Sequence, residues 1–105
     1  MQYTKRTNME RPKKLTSTAV DEFLASREAW TVQAEGLEKT FAFQDYGSCV
    51  AFSVHLGFAA EKRDHHPDLH ISWGKVKVRW STHDAGGITA LDLEMADVTD
   101  LAYRG

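Results

Sequence analysis

The stretch Leu69-His-Ile-Ser-Trp-Gly-Lys-Val-Lys-Val-Arg-Trp80 determines the fold that we predict for this chain. Polar residues alternate with an apolar set on both sides of Gly74, and that set is Leu69, Ile71, Trp73, Val76, Val78 and Trp80. A period of two around a glycine is typical of a β-hairpin. We therefore expect two antiparallel strands with the apolar set facing a core and Lys75, Lys77 and Arg79 facing away. The basic row is interpreted as a solvated face or a guarded edge strand, with a site for an anionic partner as the alternative.

A long helix over residues 46–63 is predicted immediately before this hairpin, with Asp45 as its N-cap. Its first four turns are apolar nearly all round, whereas one apolar face is enough to pack a helix on a sheet. We expect the second apolar face, within residues 46–60, to bind another copy of the chain and form a homodimer or homotetramer. The alternative is that this face is half-exposed. His55, in the same helix, is expected to be a surface or hydrogen-bonded histidine.

Another hairpin is predicted upstream of the long helix. Polar residues alternate with an apolar set before and after the Glu35-Gly36 pair, and that set is Trp30, Val32, Ala34, Leu37, Phe41 and Phe43. This alternation indicates two antiparallel strands joined by a turn that contains the glycine.

Two further helices are predicted at the ends of this arrangement. Thr18 is a candidate N-cap with Asp21 three residues later, and that helix should end near Arg27. Thr89 and Asp92 form the same capping pattern before the last helix. The element order α-β-β-α-β-β-α predicts an α+β domain, in which a four-stranded antiparallel sheet carries three helices packed on one face.

The domain is expected to span residues 15–105, preceded by a basic tail. Residues 1–14 contain five basic side chains against Glu10, and we interpret them as a flexible tail, with a nucleic-acid or targeting arm as the alternative. The tail lacks the apolar core of a secretory signal, so a cytoplasmic location is expected, and a nuclear share stays open.

Composition excludes several classes of protein. A length of 105 residues with 42% hydrophobic residues suits one compact domain. The balance of 13 basic and 15 acidic side chains disfavours direct nucleic-acid binding. Cys49 is the single cysteine, which excludes a disulfide framework. No apolar run is long enough to span a membrane.

Four of the five histidines lie close together in the sequence, at positions 65, 66, 70 and 83. We expect His65 and His66 at a helix end and His83 at a strand end, where one pocket can gather all three. Imidazole titrates near neutrality, so such a pocket suits acid–base catalysis of an elimination, hydration or isomerisation. His70 falls on the polar side of a strand and is expected to be a bystander. Two alternatives stay open at this point: unrelated structural histidines, and a zinc site, for which adjacent histidines are poorly spaced.

The spacing Glu61-x3-His65-His66-Pro67-x5-Trp73-x9-His83-x8-Asp92 resembles the signature of the pterin-4a-carbinolamine dehydratases, also known as dimerisation cofactors of a homeodomain transcription factor. The resemblance extends from about Leu15 to Tyr103. Trp73 stands where some members of that family have tyrosine.

The resemblance implies a dehydratase that converts 4a-hydroxytetrahydrobiopterin to quinonoid dihydropterin and water. This reaction recycles tetrahydrobiopterin, the pterin that aromatic amino acid hydroxylases use. It implies no metal and no cofactor, because the pterin is the substrate, and it implies dimers and dimers of dimers. The alternative function is a protein-binding module that acts as a transcription-factor dimerisation cofactor through the long helix.

The resemblance also implies a role for each histidine of the motif. His65 and His83 are carried over as the catalytic acid–base pair. His66 is carried over mainly as a substrate-binding residue, with a part in proton transfer as well. Glu61 lies one helical turn before His65, so it either hydrogen-bonds that imidazole or binds the amino-pyrimidine edge of the pterin.

The remaining motif residues are expected to support the site. Asp92 either orients His83 or caps its own helix. Trp73 is counted among the substrate-binding residues, although a place in the core is the stronger expectation unless its side chain turns toward the pocket rim. Pro67 is expected to be structural, since a proline disfavours helical geometry at His66 and ends the long helix.

Overall fold

Three α-helices and four β-strands follow one another in the predicted order in the computed structural model, which describes residues 13–105. The helices are α1 (Ser17–Ala25), α2 (Tyr46–Arg63) and α3 (Ala90–Arg104), and the strands are β1 (Thr31–Gln33), β2 (Gly36–Ala42), β3 (Asp68–Ser72) and β4 (Lys75–Trp80). The strands form one antiparallel sheet in the order β1-β2-β4-β3. The α+β class and the element order are therefore confirmed.

The two central strands, β2 and β4, contribute the side chains of the sheet that face the core. Leu37 lies opposite Trp80, and Phe41 lies opposite Val76. The apolar side chains of β4 are fully buried, whereas Lys75 and Lys77 are exposed on the opposite face of the sheet. The predicted division of β4 into a core face and a basic face is therefore confirmed.

Helix α2 begins and ends where the sequence indicated. The side chain of Asp45 accepts a hydrogen bond from the backbone N–H of Ser48 at 2.7 Å, as an N-cap does. The helix ends at Arg63 because Asp64 adopts the left-handed conformation, with φ of 55°. The reversal thus occurs three residues before Pro67, so Asp64 and not the proline stops the helix.

Helix α2 has two apolar faces. The face toward the core consists of Cys49, Phe52, Leu56 and Ala60, all buried. The opposite face carries an outer stripe, which we define as Tyr46, Val50, Val54 and Phe58, one residue per helical turn. Val54 is 52% exposed and Phe58 is 71% exposed, so within a single chain the outer stripe faces solvent.

The first hairpin differs from the prediction in the position of its turn. The turn falls at Ala34 and Glu35, and Gly36 opens β2. Ala34 supplies the positive φ of 53° that such a turn needs. Position 36 requires a glycine for a different reason. The guanidinium of Arg79 crosses it, 2.6 Å from where a Cβ would stand. That guanidinium donates to the carbonyl of Gln33 and ties the end of β1 to β4.

The first helix also differs at its start. Thr16, not Thr18, is the N-cap, because its side chain accepts from the backbone N–H of Ala19 at 3.1 Å. The helix ends at Ala25, two residues before the predicted position. Its buried residues, Val20 and Phe23, join the core between the helices and the sheet.

Trp73 does not lie in the core, so that expectation was wrong. It occupies the two-residue turn between β3 and β4 and is 73% exposed. A side chain at the tip of a hairpin lies beyond the last pair of the ladder, and here the covering helices do not reach it. The apolar alternation that placed Trp73 inside stops at Ile71, itself 37% exposed.

The start of the domain lies slightly earlier than predicted. Lys14, which we assigned to the tail, forms an isolated β-bridge with Thr89, and Leu15 donates its backbone N–H to the carbonyl of Ile88. Residues 1–12 lie outside the described part of the chain, so the flexible tail stays a prediction. Across residues 13–105, no helix combines the length and apolar character needed to cross a membrane.

Candidate active site

His65 lies directly after the left-handed residue that ends α2. Its backbone N–H donates to the carbonyl of Ala60, and its side chain is only 8% exposed. Arg63 binds Glu94 through two hydrogen bonds of 2.7 and 3.0 Å and so fastens the end of α2 to α3. The pKa of Glu94 is lowered, mainly by this hydrogen bond. The segment that carries His65 is therefore held against the first turns of α3.

The side chain of His65 is bound by Asp92. Its Nε2 lies 2.6 Å from Oδ1 of Asp92, whose side chain is fully buried. A carboxylate only accepts hydrogen bonds, so Nε2 carries the hydrogen and Nδ1 is left as the basic nitrogen. Nδ1 has no hydrogen-bond partner among residues 13–105 and is not among the fully enclosed polar atoms there. It is thus the ring nitrogen available to a ligand.

Asp92 also caps the helix on which it lies. Its second oxygen, Oδ2, accepts from the backbone N–H of Thr89 at 2.9 Å, which completes the capping box that the sequence predicted. The same oxygen accepts from the hydroxyl of Thr82 at 2.8 Å. Of the two roles expected for Asp92, helix capping is confirmed. The imidazole that it holds is His65 and not His83, because Oδ1 is aimed at the end of α2.

Thr82 links the segment that carries His83 to this pair. Thr82 hydrogen-bonds Asp92, and the next residue, His83, starts a single turn of 3-10 helix, His83–Ala85. His83 therefore lies three residues beyond the end of β4, not at the strand end as predicted. The chain leaves the sheet at Trp80 to reach Thr89 and Asp92, and this detour leaves the His83 side chain exposed.

One face of the His65 ring lies against an indole. The rings of His65 and Trp80 are stacked, with centroids 5.6 Å apart and planes 19° apart. Trp80 is fully buried, and its Nε1 donates to the hydroxyl of Thr99 at 2.9 Å. Sequence reasoning assigned Trp80 to the core and missed its contact with the histidine. No local pattern links residues 65, 80 and 99.

Glu61 pairs with His66 and not with His65. Its Oε1 lies 2.9 Å from Nε2 of His66, and both side chains are 51% exposed. The one-turn spacing that suggested His65 fails because the chain leaves the helix at Asp64, which directs His65 inward and His66 outward. The site thus has an enclosed imidazole and an exposed one next to each other in the sequence.

Trp73, Pro67 and His70 are not gathered around Asp92. Six residues lie between His66 and Trp73, and an extended chain of that length spans roughly 20 Å. Pro67 is half-buried and leads into β3. His70 is exposed in the middle of β3, opposite Lys77, as expected of a residue on the polar side.

Across residues 13–105, no group of three or more histidine, cysteine, aspartate or glutamate side chains is placed to hold a metal ion. The groups that are present suit proton transfer: an enclosed imidazole with one nitrogen fixed by a carboxylate, next to segments that carry two exposed imidazoles.

Known proteins resemble this chain over most of its length. Residues 13–102 match the family described as pterin 4 alpha carbinolamine dehydratase. A protein of Roseiflexus castenholzii that is provisionally named a pterin-4-alpha-carbinolamine dehydratase is 41% identical over 86 residues, which are 82% of this chain and 92% of that protein. A protein of Rhizobium meliloti with the same provisional name is 40% identical over 97 residues, which cover 90% of this chain and 93% of the relative.

Two solved structures share the fold. A transcriptional coactivator/pterin dehydratase from Brucella melitensis superposes with a TM-score of 0.82 at 29% identity, over 87% of this chain and 99% of that one. A pterin dehydratase-like protein identified as a RuBisCO assembly factor in the alpha-carboxysome has a TM-score of 0.60 at 22% identity, over 72% of this chain and 90% of that one. The second likeness concerns the fold alone. The extent of the family match and the identity to the two bacterial relatives together show that this chain belongs to the pterin 4 alpha carbinolamine dehydratase family.

Proposed function

We propose that this chain dehydrates a 4a-hydroxytetrahydropterin to the quinonoid dihydropterin and water. The observation that carries the proposal is the enclosed His65–Asp92 pair, tied through Thr82 to the segment that bears His83. Two imidazoles from different elements are what an elimination needs, because one proton must leave the substrate while another is delivered to its leaving group.

The proposed step balances as follows. A base removes the proton on N5 of the pterin, and the electron pair of that N–H bond forms the C4a=N5 double bond. The bond between C4a and the hydroxyl oxygen breaks, and an acid protonates that oxygen so that it leaves as water. One imidazole gains a proton, the other loses one, and solvent restores both. Neither a metal nor a bound cofactor is required by this balance, so the pterin is the only small molecule in the proposal.

His65 is the proposed base. Asp92 accepts from Nε2, which leaves the Nδ1 lone pair to take the N5 proton, and the carboxylate stabilises the imidazolium that results. Asp92 is itself held by Thr89 and Thr82, so little rearrangement is needed when charge develops on His65. This fixed geometry favours the base role for His65 and leaves the acid role to the other imidazole.

His83 is the proposed acid, and His66 with Glu61 is the proposed binding pair for the pterin ring. His83 is exposed, so it exchanges protons with water between turnovers. Glu61 accepts from His66 and retains a free lone pair on each oxygen for the amino group of the pterin. Trp73 is too distant from His66 in the same chain to join them, so a substrate-binding role for Trp73 would require another copy.

Replacement of His83 tests the proposal directly. The His83→Ala variant should dehydrate a 4a-hydroxytetrahydropterin at least ~10²-fold more slowly than the wild type, because the leaving hydroxide loses its proton donor. The matched control is His70→Ala, which removes an exposed imidazole from the middle of β3 and should leave the rate unchanged. Equal turnover by the wild type and His83→Ala would refute the assignment of His83. A wild type without dehydratase activity would refute the proposed function itself.

A second candidate function is protein binding through the outer stripe of α2. Four exposed apolar side chains in consecutive turns favour it, because isolated surface residues of this kind need no partner but a continuous stripe does. We propose a second copy of this chain as the occupant, in a homodimer or homotetramer. The Brucella melitensis protein is described both as a transcriptional coactivator and as a pterin dehydratase, which supports the idea that one fold serves both purposes.

We also propose that the reaction takes place in the cytoplasm and serves tetrahydrobiopterin recycling for an aromatic amino acid hydroxylase. The support is the family membership, because the matching family is named for a pterin dehydratase. The basic residues at the start of the chain carry no part of this proposal.

A further inference from the structure

We infer that Trp80 and Thr99 are positioning residues for His65, so that a hydroxyl group on α3 controls turnover through an indole ring. This inference rests on the proposed role of His65 as the base. Neither residue belongs to the motif that carries the family resemblance, and neither is expected to touch the substrate.

The orientation of the His65 ring requires more than its hydrogen bond to Asp92. The bond to Cβ and the hydrogen bond at Nε2 hold the ring at two points and leave its plane free to tilt about the line between them. Such a rotation would swing Nδ1, the proposed base, away from N5 of the pterin. A flat surface parallel to the imidazole removes this freedom. The indole of Trp80 is that surface, with its ring centroid 5.6 Å from that of His65 and an angle of 19° between the two planes.

Trp80 is itself held in one orientation. It is the last residue of β4, its side chain is fully buried, and its Nε1–H donates to Oγ1 of Thr99 at 2.9 Å. The hydroxyl of Thr99 donates in turn to the carbonyl of Met95 at 2.7 Å. Because the Thr99 hydrogen is already engaged, its oxygen presents lone pairs to the indole. The direction of every hydrogen bond in this chain of contacts is therefore determined.

Helix α3 thus orients the imidazole of His65 through two residues, one directly and one through Trp80. Asp92 fixes one nitrogen, and Thr99, seven residues later on the same side of the helix, fixes the ring that lies against it. A purely apolar pair at positions 80 and 99 would fill the same volume without fixing the plane of a ring. The buried hydrogen bond between Trp80 and Thr99 therefore serves orientation as well as packing.

The first experiment compares Thr99→Val with Thr99→Ser in steady-state dehydration kinetics. Valine keeps the branched shape of threonine and removes the acceptor, so we expect kcat to fall about tenfold with KM within about twofold of the wild type. Serine retains the hydroxyl, so the kcat of Thr99→Ser should lie within about threefold of the wild-type value. Thr40→Val is the matched control, because Thr40 is exposed on β2, and its kinetics should equal those of the wild type.

The second readout does not depend on activity. The His65 ring is stacked against the indole of Trp80, so the NMR resonances of its ring protons should carry a ring-current shift that changes in Thr99→Val and returns in Thr99→Ser. If the wild type proves inactive as a dehydratase, this measurement still decides whether Thr99 orients His65. Unchanged His65 resonances together with an unchanged kcat in Thr99→Val would overturn the inference and leave the proposed function standing.

A double-mutant cycle covers the case in which Thr99→Val folds poorly. Trp80→Phe keeps an aromatic ring against His65 but has no N–H for Thr99 to accept. If Thr99 acts through the indole, adding Thr99→Val to Trp80→Phe should lower kcat by less than about twofold further. A full additional tenfold loss in the double variant would show that Thr99 acts by another route and would contradict the inference.

Discussion

Asp92 carries two tasks on its two oxygens. Oδ2 accepts from the start of α3 and from Thr82, whereas Oδ1 holds Nε2 of His65. An amide in its place must keep its one oxygen toward the donors at Oδ2, because an N–H group there would face other N–H and O–H donors. The amide nitrogen would then face His65. The imidazole of His65 would then be forced into the opposite tautomer, with its hydrogen on Nδ1.

The Asp92→Asn variant should therefore lose kcat by about 10²-fold while α3 keeps its cap. The measurement is dehydration kinetics together with the thermal midpoint from circular dichroism. The expected combination is a large loss of rate with a small change in the midpoint. Full activity in a folded Asp92→Asn variant would contradict the tautomer that we assign to His65.

The prediction from sequence succeeded where a single residue acts on its own neighbours. Asp45 and Thr89 were identified as N-caps because the pattern and the hydrogen bond lie within one turn. Glu61 was assigned to the wrong histidine because its partner depends on the path of the chain after Asp64. The contact between Trp80 and Thr99 was invisible because tertiary packing alone brings the two side chains together.

At the scale of elements, helix and strand types were predicted well and their boundaries less well. Thr16, Ser17 and Thr18 are all good N-cap residues, so composition alone could not choose the first turn of α1. Gly36 was interpreted as a turn residue, but it is needed for the close approach of Arg79. A glycine that provides space and a glycine that provides a positive φ look the same in a single sequence.

The start of α2 links stability to pH. The pKa of Asp45 is lowered, first by the hydrogen bond from the Ser48 backbone N–H and then by that from the Ser48 side chain. A carboxyl group with a lowered pKa in the folded state stabilises the protein above its unfolded pKa of about 4, and this contribution is lost as the pH falls through the folded value.

The Asp45→Asn variant should therefore respond less to acid than the wild type. Asparagine caps a helix in a similar way but does not titrate. Thermal midpoints measured between about pH 6 and pH 2.5 should fall more steeply for the wild type, so that the two proteins approach each other at the acidic end. Parallel curves over the whole range would exclude a contribution from this cap.

At the scale of the whole molecule, α2 separates a covered surface from an open one. The helices lie on one face of the sheet, and the outer stripe is on the side of α2 that this packing leaves exposed. The sequence predicted a second apolar face on this helix, and the exposure of Val54 and Phe58 confirms that the face exists in the single chain. The partner that covers it depends on a second molecule, which one sequence does not reveal.

Replacement of Phe58 by glutamate tests the proposed self-association. The wild type should elute as a dimer or tetramer in size-exclusion chromatography with light scattering, and Phe58→Glu should shift toward the monomer because a charge then faces the apolar contact. Leu101→Glu is the matched control, since Leu101 is 65% exposed on α3 outside the outer stripe and should leave the mass unchanged. A monomeric wild type would exclude the interface.

The two faces of α2 also bear on how such a chain diverges over evolutionary time. Substitutions in the outer stripe change none of the contacts that Asp92, Thr82 and Trp80 make around His65. Descendants of one ancestral gene could therefore exchange partners by drift on that helix face while selection preserved the histidine site. Chemistry and association are in this sense separately heritable traits of a single small domain.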